Sequence, residues 1–312
     1  MSGSKHKPFR TRVYIDGYNF YYGCLKGTSY KWLDLLRLFE NYILPSIHTT
    51  DSDGQSRKLE LLAPPSIKYF TAKIVESVAK SSDSVSSQAR YHTALRKLYK
   101  KDIEIIEGYY AVNKMNIRVI DESIPNQKPN ECDVRQAWKV EEKQSDVNLS
   151  LQAYHDAIHR DIDCAVFVTN DTDIAPALEL IRKHTQIQIG VVIPTIDFRQ
   201  PNTNLVEQAH WCRKHILESE LKGSQLPRVI PGRKPTTKPD SWYPHPDYLE
   251  QILKLAIPVR GSRAKVFQWM NQTNPYFGGL TPIDLLDSKE GSIQVLDYIH
   301  QWIERKESHS DQ

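Results

Sequence analysis

The sequence predicts an α/β fold, in which helices flank a parallel sheet, followed by a small all-α domain. Over the first two thirds of the 312 residues, short β-branched or aromatic runs alternate with longer amphipathic stretches. A stretch rich in Pro, Lys, Arg and Thr follows, and the remaining residues carry helical patterns only. We therefore expect an α/β domain at 10–222, a basic proline-rich linker at 223–246 and a helical domain at 247–306.

The composition is that of an ordinary globular protein. Apolar residues make up 39% and charged residues 25%, and the formal net charge is +3. The mean hydropathy is -0.54, and no apolar run approaches the roughly 20 residues that a membrane helix needs. The first twelve residues are basic and polar and lead into no apolar segment, so we expect no secretory signal and a cytoplasmic location. The scattered cysteines predict reduced thiols.

Five runs are predicted strands of the sheet, and the segments between them are predicted helices. The strands are Arg12–Asp16, Ile67–Ile74, Ile103–Tyr110, Ala165–Thr169 and Ile187–Ile193. The helices are Lys31–Leu44, Ser86–Lys101, Val134–Arg160, Asp173–Lys183 and Asn204–Leu221. The polar stretch 48–65 is predicted to be a surface loop. Beyond the linker, helices are predicted at 248–257, 262–271, 281–286 and 291–305.

Acidic residues stand where predicted strands end. Asp16 closes the first strand, and Asp171 and Asp173 directly follow the fourth. Because the carboxyl ends of parallel strands meet at one edge of a sheet, these carboxylates converge if the two strands are neighbours. Asp146 lies on the helix that precedes the fourth strand and is a further candidate.

Carboxylates held close together repel one another unless a cation compensates their charge. An all-oxygen site favours Mg²⁺ or Mn²⁺, and such ions activate water for phosphodiester hydrolysis. The sequence therefore predicts Asp16, Asp171 and Asp173 as metal ligands and catalytic residues. Asp146 is predicted as a further catalytic residue that either ligates the metal or orients the water. The predicted supporting residues, which would orient the ligands or reach a phosphate, are Asn19, Lys143, Ser145, Thr169 and Asn170.

Three segments that contain these residues resemble the acidic motifs of the NYN family of PIN-like ribonucleases. They are Val13–Asn19, Lys143–Val147 and Val168–Asp173. The resemblance covers about residues 10–221 and implies a PIN-like sheet, dependence on Mg²⁺ or Mn²⁺, and endonucleolytic cleavage of RNA. The chain departs from the family at Thr169-Asn170, where many members have Ser-Gly, and at Ile174, where an aromatic residue is common.

Aromatic and basic side chains follow the first motif. Tyr18, Tyr21, Lys26 and Lys31 could stack on and neutralise single-stranded RNA or the loops of a structured RNA. Alternatively, the aromatic rings pack the first helix against the sheet.

Two other functions stay open at this stage. Some chains that resemble NYN proteins carry a pyridine hydroxylase label, which would make this protein a monooxygenase, although it lacks the G-x-G-x-x-G sequence of a nucleotide-binding turn. The other alternative is a catalytically silent regulatory protein.

The C-terminal segment resembles the toxin-binding domain of Xre-type antitoxins. The resemblance rests on Trp269, the Asn274-Pro275 turn, the run Gly278–Pro282 and the later Gly291. It implies a protein partner or self-association, and the alternative is a small cap that only stabilises the fold.

Overall fold

The computed structural model describes residues 7–51, 53–61, 64–198 and 200–310, with side chains up to 305. The chain forms two compact units. The first contains the residues up to Lys26 together with Leu33–Gln225, and the second contains Gly27–Trp32 together with the residues from Leu226 onwards.

The first unit is built around a mixed sheet that is largely parallel. Its strands are β1 (Phe9–Asp16), β4 (Leu59–Glu60), β5 (Ile67–Ala72), β6 (Ile103–Val119), β7 (Asp133–Lys143), β8 (Cys164–Val168), β9 (Gln188–Val192) and β10 (Trp211–Arg213); β2 (Thr49–Thr50) and β3 (Ser56–Arg57) form a separate pair. The strands follow the order β10-β9-β8-β1-β5-β6-β7, and β4 also pairs with β1. All described neighbours are parallel except β6 and β7.

Helices connect these strands and cover the sheet. They are α1 (Gly17–Phe20), α2 (Leu35–Leu38), α3 (Ser84–Leu98), α4 (Ser145–Ile158), α5 (Ala175–His184), α6 (Thr203–Gln208) and α7 (Glu218–Gly223). The α/β prediction is therefore confirmed. Of the predicted helix over 31–44, the α-helical part is only α2, which continues into a wider π-helical turn over Phe39–Ile43.

The central strands are buried because helices cover both faces of a parallel sheet. Every residue of β5 and β8 is buried, as is every residue of β1 except Arg10. Tyr14 of β1 stacks on Phe167 of β8 with ring centroids 5.4 Å apart. These apolar strands fix the position of β1 between β8 and β5, where the order of the strands reverses.

The second half of β6 and the whole of β7 form a two-stranded antiparallel arm. Its paired residues run from Tyr109 opposite Lys143 to Val119 opposite Asp133. The prediction of one helix over 134–160 is therefore wrong for its first ten residues. The chain turns at Gln144, which has a positive φ of 77°, and α4 begins at Ser145.

The predicted helix over 204–221 is also wrong as a single element. The chain forms α6, then the short strand β10 beside β9, and then α7. Trp211 of β10 packs directly over Gly190 of β9, where a methyl group would lie only 2.0 Å from the indole ring. The aromatic residue thus belongs to the sheet edge, which a helical pattern does not anticipate.

The second unit is helical apart from one small hairpin. Its elements are β11 (Val229–Ile230), β12 (Thr236–Thr237), α8 (Pro246–Arg260), α9 (Arg263–Met270), α10 (Pro282–Leu285) and α11 (Lys289–Ser310). Its core contains Leu249, Ile252, Val266, Met270 and Val295. The hairpin lies within the segment predicted to be a linker, and the predicted domain limits stay a prediction. Among the described residues, no helix is long and apolar enough to cross a membrane.

Candidate functional site

A cavity of about 560 Å³ opens in the first unit, at the carboxyl ends of β1 and β8. β1 and β8 are hydrogen-bonded neighbours, as the convergence of their terminal carboxylates requires. The edge lies at the point where the strand order reverses, which is where open α/β sheets bind ligands. The lining carboxylates are Asp16, Glu141, Glu142, Asp146 and Asp171.

Asp16 lies at the floor of this cavity and is 3% exposed. Its carboxylate accepts hydrogen bonds from the backbone N–H of Asn19 at 3.0 Å, from the Asn19 amide at 2.6 Å and from the Thr169 hydroxyl at 3.0 Å. The Thr169 hydroxyl also accepts a bond from the backbone N–H of Asp171. Burial raises the pKa of Asp16, and these hydrogen bonds oppose that shift.

Two further carboxylates face Asp16 from β7 and α4. Burial raises the pKa of Asp146 to about 6, and the charges of Asp16 and Asp171 add to the shift. Burial also raises the pKa of Glu142, although the hydroxyl of Ser145 donates a hydrogen bond to it. The cluster is therefore strongly anionic and gains protons more readily than isolated carboxyl groups do.

Tyrosine side chains form the other side of the cavity. Tyr18 and Tyr22 lie 4.4 Å apart between ring centroids, and Tyr21 meets Tyr22 edge to face at 5.2 Å. The ammonium of Lys80 lies 3.3 Å from the Tyr22 hydroxyl. Tyr110, on β6, completes this aromatic lining. Among the described residues that line the cavity, Lys80 is the only cation.

The structure brings together some of the predicted site residues. Those that line the cavity are Asp16, Tyr18, Asn19, Tyr21, Ser145, Asp146 and Asp171. Thr169 lies directly behind Asp16, to which it donates.

Other predicted site residues lie elsewhere. Asp173 is exposed at the start of the turn before α5, and Asn170 accepts from the backbone of Asn202. Lys143 pairs with Glu141 at 2.9 Å. Lys26 lies 4.8 Å from the centre of the Tyr22 ring, and Lys31 belongs to the second unit.

Sequence reasoning missed several cavity residues, among them Glu142, Tyr110 and Lys80. Glu142 and Tyr110 are paired across β6 and β7, and the helix predicted over 134–160 concealed that pairing. The apolar residues Val134, Trp138 and Val140 stand at even positions of this segment, and such an alternation indicates a strand rather than a helix. Nothing in the sequence distinguishes Lys80 from other surface lysines.

The described residues contain no group of three or more His, Cys, Asp or Glu side chains arranged to hold a metal ion. Asp16, Glu142 and Asp171 accept hydrogen bonds from neighbouring side chains and backbone groups instead. The prediction that Asp16, Asp146, Asp171 and Asp173 together ligate Mg²⁺ or Mn²⁺ is not supported by this arrangement.

Three similarities to other proteins are found for this chain. Residues 255–302 match the Antitoxin Xre/MbcA/ParS C-terminal toxin-binding domain, as the C-terminal resemblance predicted. A Vibrio parahaemolyticus protein of unknown function, VPA0982, aligns over 72% of this chain and 100% of its own, at 17% identity and a TM-score of 0.38. The 6-hydroxy-3-succinoylpyridine 3-monooxygenase HspA of Pseudomonas putida is 64% identical over 302 residues, which are 96% of this chain and 97% of that protein.

The similarity to HspA corrects the functional prediction made from the acidic motifs. A relative so similar over nearly its whole length carries the name of a monooxygenase, so the prediction of a hydrolytic endoribonuclease is wrong. The predicted Mg²⁺ or Mn²⁺ cofactor is wrong for the same reason, and RNA is not supported as a partner. This chain belongs to the family of the 6-hydroxy-3-succinoylpyridine 3-monooxygenase HspA.

Proposed function

We propose that this protein is a monooxygenase that oxygenates a hydroxypyridine bearing a carboxylate side chain, and that it binds this substrate in the cavity at the ends of β1 and β8. The observation that carries the proposal is the 64% identity to HspA over 302 residues. The name of that relative gives both the ring class and the reaction.

The cavity suits a planar ring. Ligand sites commonly measure 300–1,000 Å³, and this one measures about 560 Å³. Tyr18, Tyr21 and Tyr22 are 46%, 37% and 38% exposed, so their rings are accessible for stacking on an aromatic substrate.

The polar groups of the cavity suit the remaining parts of such a substrate. Carboxylates are hydrogen-bond acceptors, so Glu142 and Asp146 would accept from the ring N–H or the hydroxyl of a hydroxypyridine. The ammonium of Lys80 would pair with the carboxylate of the side chain. The ring would then lie between the tyrosines and the acidic floor, with its charged tail toward Lys80.

Monooxygenation consumes O₂ and two electrons, placing one oxygen atom in the product and the other in water. Flavins commonly supply the electrons for such chemistry, but the cavity does not suit the phosphate of one. Lys80 is the single cation among its described lining residues, and the substrate carboxylate would take it, so a flavin phosphate would have no cationic partner there. The helix that follows β1 continues from α1 into a π-helical turn over Tyr21–Leu25, and the Asp16 carboxylate already accepts from a backbone N–H of its first turn, so this end does not attract a phosphate. We therefore derive no step through a bound flavin and assign the electrons to a reduced nicotinamide or flavin that diffuses in.

The direct test is isotopic. Purified full-length protein is incubated under ¹⁸O₂ with 6-hydroxy-3-succinoylpyridine and NADH, with and without added FAD or FMN. We expect one ¹⁸O atom in the product by mass spectrometry. Failure to consume the substrate in every arm, or incorporation of oxygen from water alone, would refute the proposal.

A variant locates the reaction in the cavity. Lys80→Met removes the proposed partner of the substrate carboxylate, so we expect KM to rise about tenfold with little change in kcat. Lys101→Met is the matched control, because Lys101 is an exposed lysine outside the cavity lining. An equal effect of both substitutions would place the substrate elsewhere.

We also infer that the sheet of the first unit is PIN-like. Its support is the position of the three motifs: Asp16, Asp146 and Asp171 all line one cavity at the reversal of strand order. An experimental structure that gave a different strand order would overturn this.

The match over residues 255–302 favours a second function for the helical unit, the binding of a toxin-type protein partner. Tyr276 and Leu280 are 52% and 54% exposed on this unit and are available for such a contact. When this chain is expressed in the same cells as a toxin of the class that such domains bind, it should relieve the growth arrest that the toxin causes. Leu280→Asp should abolish this relief. Equal growth with and without the native chain would contradict this function.

A further inference from the structure

The arm leaves one side of β7 open. Within the described part of the chain, β7 is the last strand of its sheet, and it pairs only with β6. Its eleven residues contain no proline. The backbone N–H and C=O groups along such an edge form a template for another strand.

Successive side chains of β7 point to opposite faces of the arm. The odd-numbered residues, on one face, are mainly charged, and the even-numbered residues, on the other face, are mainly apolar. Trp138 is 65% exposed, Val134 55% and Val140 46%. A two-stranded ribbon is only marginally stable by itself, and a long edge with exposed apolar residues favours association.

Symmetry restricts how two copies of β7 can pair. In an isologous dimer the strands run antiparallel about a two-fold axis, and directly opposed residues lie on the same face. Each allowed register is therefore centred on one residue, which faces its own copy.

The register centred on Trp138 pairs opposite charges. It places Asp133 opposite Lys143 and Arg135 opposite Glu141, and symmetry repeats each pair, which gives four favourable pairs along the charged face. The remaining odd residues, Ala137 and Lys139, face each other. On the other face, Trp138 meets its own copy.

The two neighbouring registers pair like charges. Centring on Ala137 would place Asp133 opposite Glu141 and Arg135 opposite Lys139, each twice. Centring on Lys139 would place Arg135 opposite Lys143 twice and Lys139 opposite itself. Because like charges directly opposed across strands are destabilising, the charge pattern of β7 favours the Trp138 register over these two. Registers centred on Gln136 or Val140 avoid like charges but form two opposite-charge pairs instead of four, so the Trp138 register is the most favourable.

We propose that the open edge of β7 binds a second copy of this chain, antiparallel and centred on Trp138, to form a continuous four-stranded arm. Glu142 and Val140 line the cavity of the first unit. In this register Val134 of the second copy lies opposite Glu142, and Gln136 of the second copy lies opposite Val140. Each copy therefore extends the cavity wall of the other.

Charge reversal tests the register. The mass of the full chain is measured by sedimentation equilibrium over a range of concentrations. Arg135→Glu puts a like charge opposite Glu141 in both halves, so we expect dimerisation to weaken about tenfold or more. The double variant Arg135→Glu with Glu141→Arg restores opposite charges, and we expect it to dimerise like the native chain. Arg118→Glu, on the inner strand β6, is the matched control and should leave the mass unchanged.

Cross-linking tests the same contact without relying on charge. Trp138→Cys places two thiols directly opposite each other, about 5 Å apart between Cβ atoms, so mild oxidation should yield a covalent dimer. Val140→Cys is the control, because its copy would lie four residues away along the strands, about 14 Å. The native chain, whose cysteines are buried or half-buried, is the blank.

Either of two results would overturn the proposal. One is a native chain that is monomeric at 100-micromolar concentrations. The other is a dimer that resists Arg135→Glu and in which Trp138→Cys cross-links no better than Val140→Cys. If Arg135→Glu fails to fold, the comparison of cross-linking between Trp138→Cys and Val140→Cys tests the proposal by itself.

Discussion

A buried charge cluster beneath the sheet yields a prediction of stability. The carboxylate of Asp156, on α4, lies 2.7 Å from the Arg12 guanidinium and 2.9 Å from the Lys68 ammonium. The buried hydroxyl of Tyr14 donates to the same carboxylate at 2.7 Å. One carboxylate therefore forms ion pairs with two cations, and all three charged side chains are at most 10% exposed.

Asp156→Asn keeps the shape of the side chain but removes this charge. Breaking a buried ion pair from one side costs about 3–5 kcal/mol, because it leaves an uncompensated buried charge. For a unit of this size, such a loss lowers Tm by about 10 °C. Urea unfolding followed by circular dichroism should show a lower midpoint with an unchanged slope, since the exposed surface does not change.

The pH dependence provides a second readout. Burial alone would raise the pKa of Asp156, but hydrogen bonds from Lys68, Tyr14 and Arg12 outweigh it and lower the pKa below its ordinary value of 3.8. The stabilisation is therefore fully present above about pH 4 and is lost as the pH falls through the folded-state pKa. The native chain should lose this stability in acid, whereas Asp156→Asn should not.

The matched control is Asp163→Asn. Asp163 pairs with Arg10 at 2.9 Å, but both side chains are more than a third exposed. Such surface pairs contribute at most about 1 kcal/mol. If the two substitutions cost the same, the reasoning about burial is refuted.

Three further outcomes are expected. Gly190→Ala should destabilise the chain strongly, because the added methyl group would overlap the Trp211 ring, and a thermal midpoint equal to that of the native chain would contradict this packing. Burial lowers the pKa of His92 to about 4, so stability should fall as the pH drops from 6.5 to 4; His92→Phe should flatten that part of the curve in pH-dependent urea titrations. Thr169→Val removes a buried hydroxyl that donates to Asp16, and we expect a loss of about 1–3 kcal/mol, measured by denaturant midpoint, whereas Thr169→Ser should retain most of it.

The buried centre of the sheet could be predicted from the sequence because its signal is strong. The segments that became β1, β5, β8 and β9 are short apolar runs, and parallel strands covered on both faces have this composition. The place of Asp16 and Asp171 followed from the geometry of adjacent parallel strands, without knowledge of any other contact.

The arm could not be predicted with the same method. Residues 134–143 are mostly exposed, so no buried run marks β7, and helical and strand periodicities compete over the segment up to Ile158. The backbone of Gln144, which separates the two elements, has a positive φ, but glutamine is not a residue type that indicates this conformation. Missing this strand also meant missing Glu142 and Tyr110 as cavity residues.

The chemistry could not be predicted for a different reason. Carboxylates that converge at a sheet edge suit both a metal-dependent hydrolase and a pocket of hydrogen-bond acceptors. The acidic motifs alone favoured the first, and the choice between them came from a relative that matches nearly the whole chain.

The length of β6 mechanically couples the cavity to the end of the arm. Its first six residues pair with β5 and its last eleven pair with β7, so a single strand of 17 residues runs from the sheet to the outer end of the arm. Tyr110 lies near the junction, where it lines the cavity. Whatever immobilises the arm therefore also restrains this cavity wall, and a ligand held against Tyr110 restrains the arm in return. The two effects are thermodynamically linked. If a ligand in the cavity raises the affinity of the arm for a partner by some factor, that partner raises the affinity of the cavity for the ligand by the same factor.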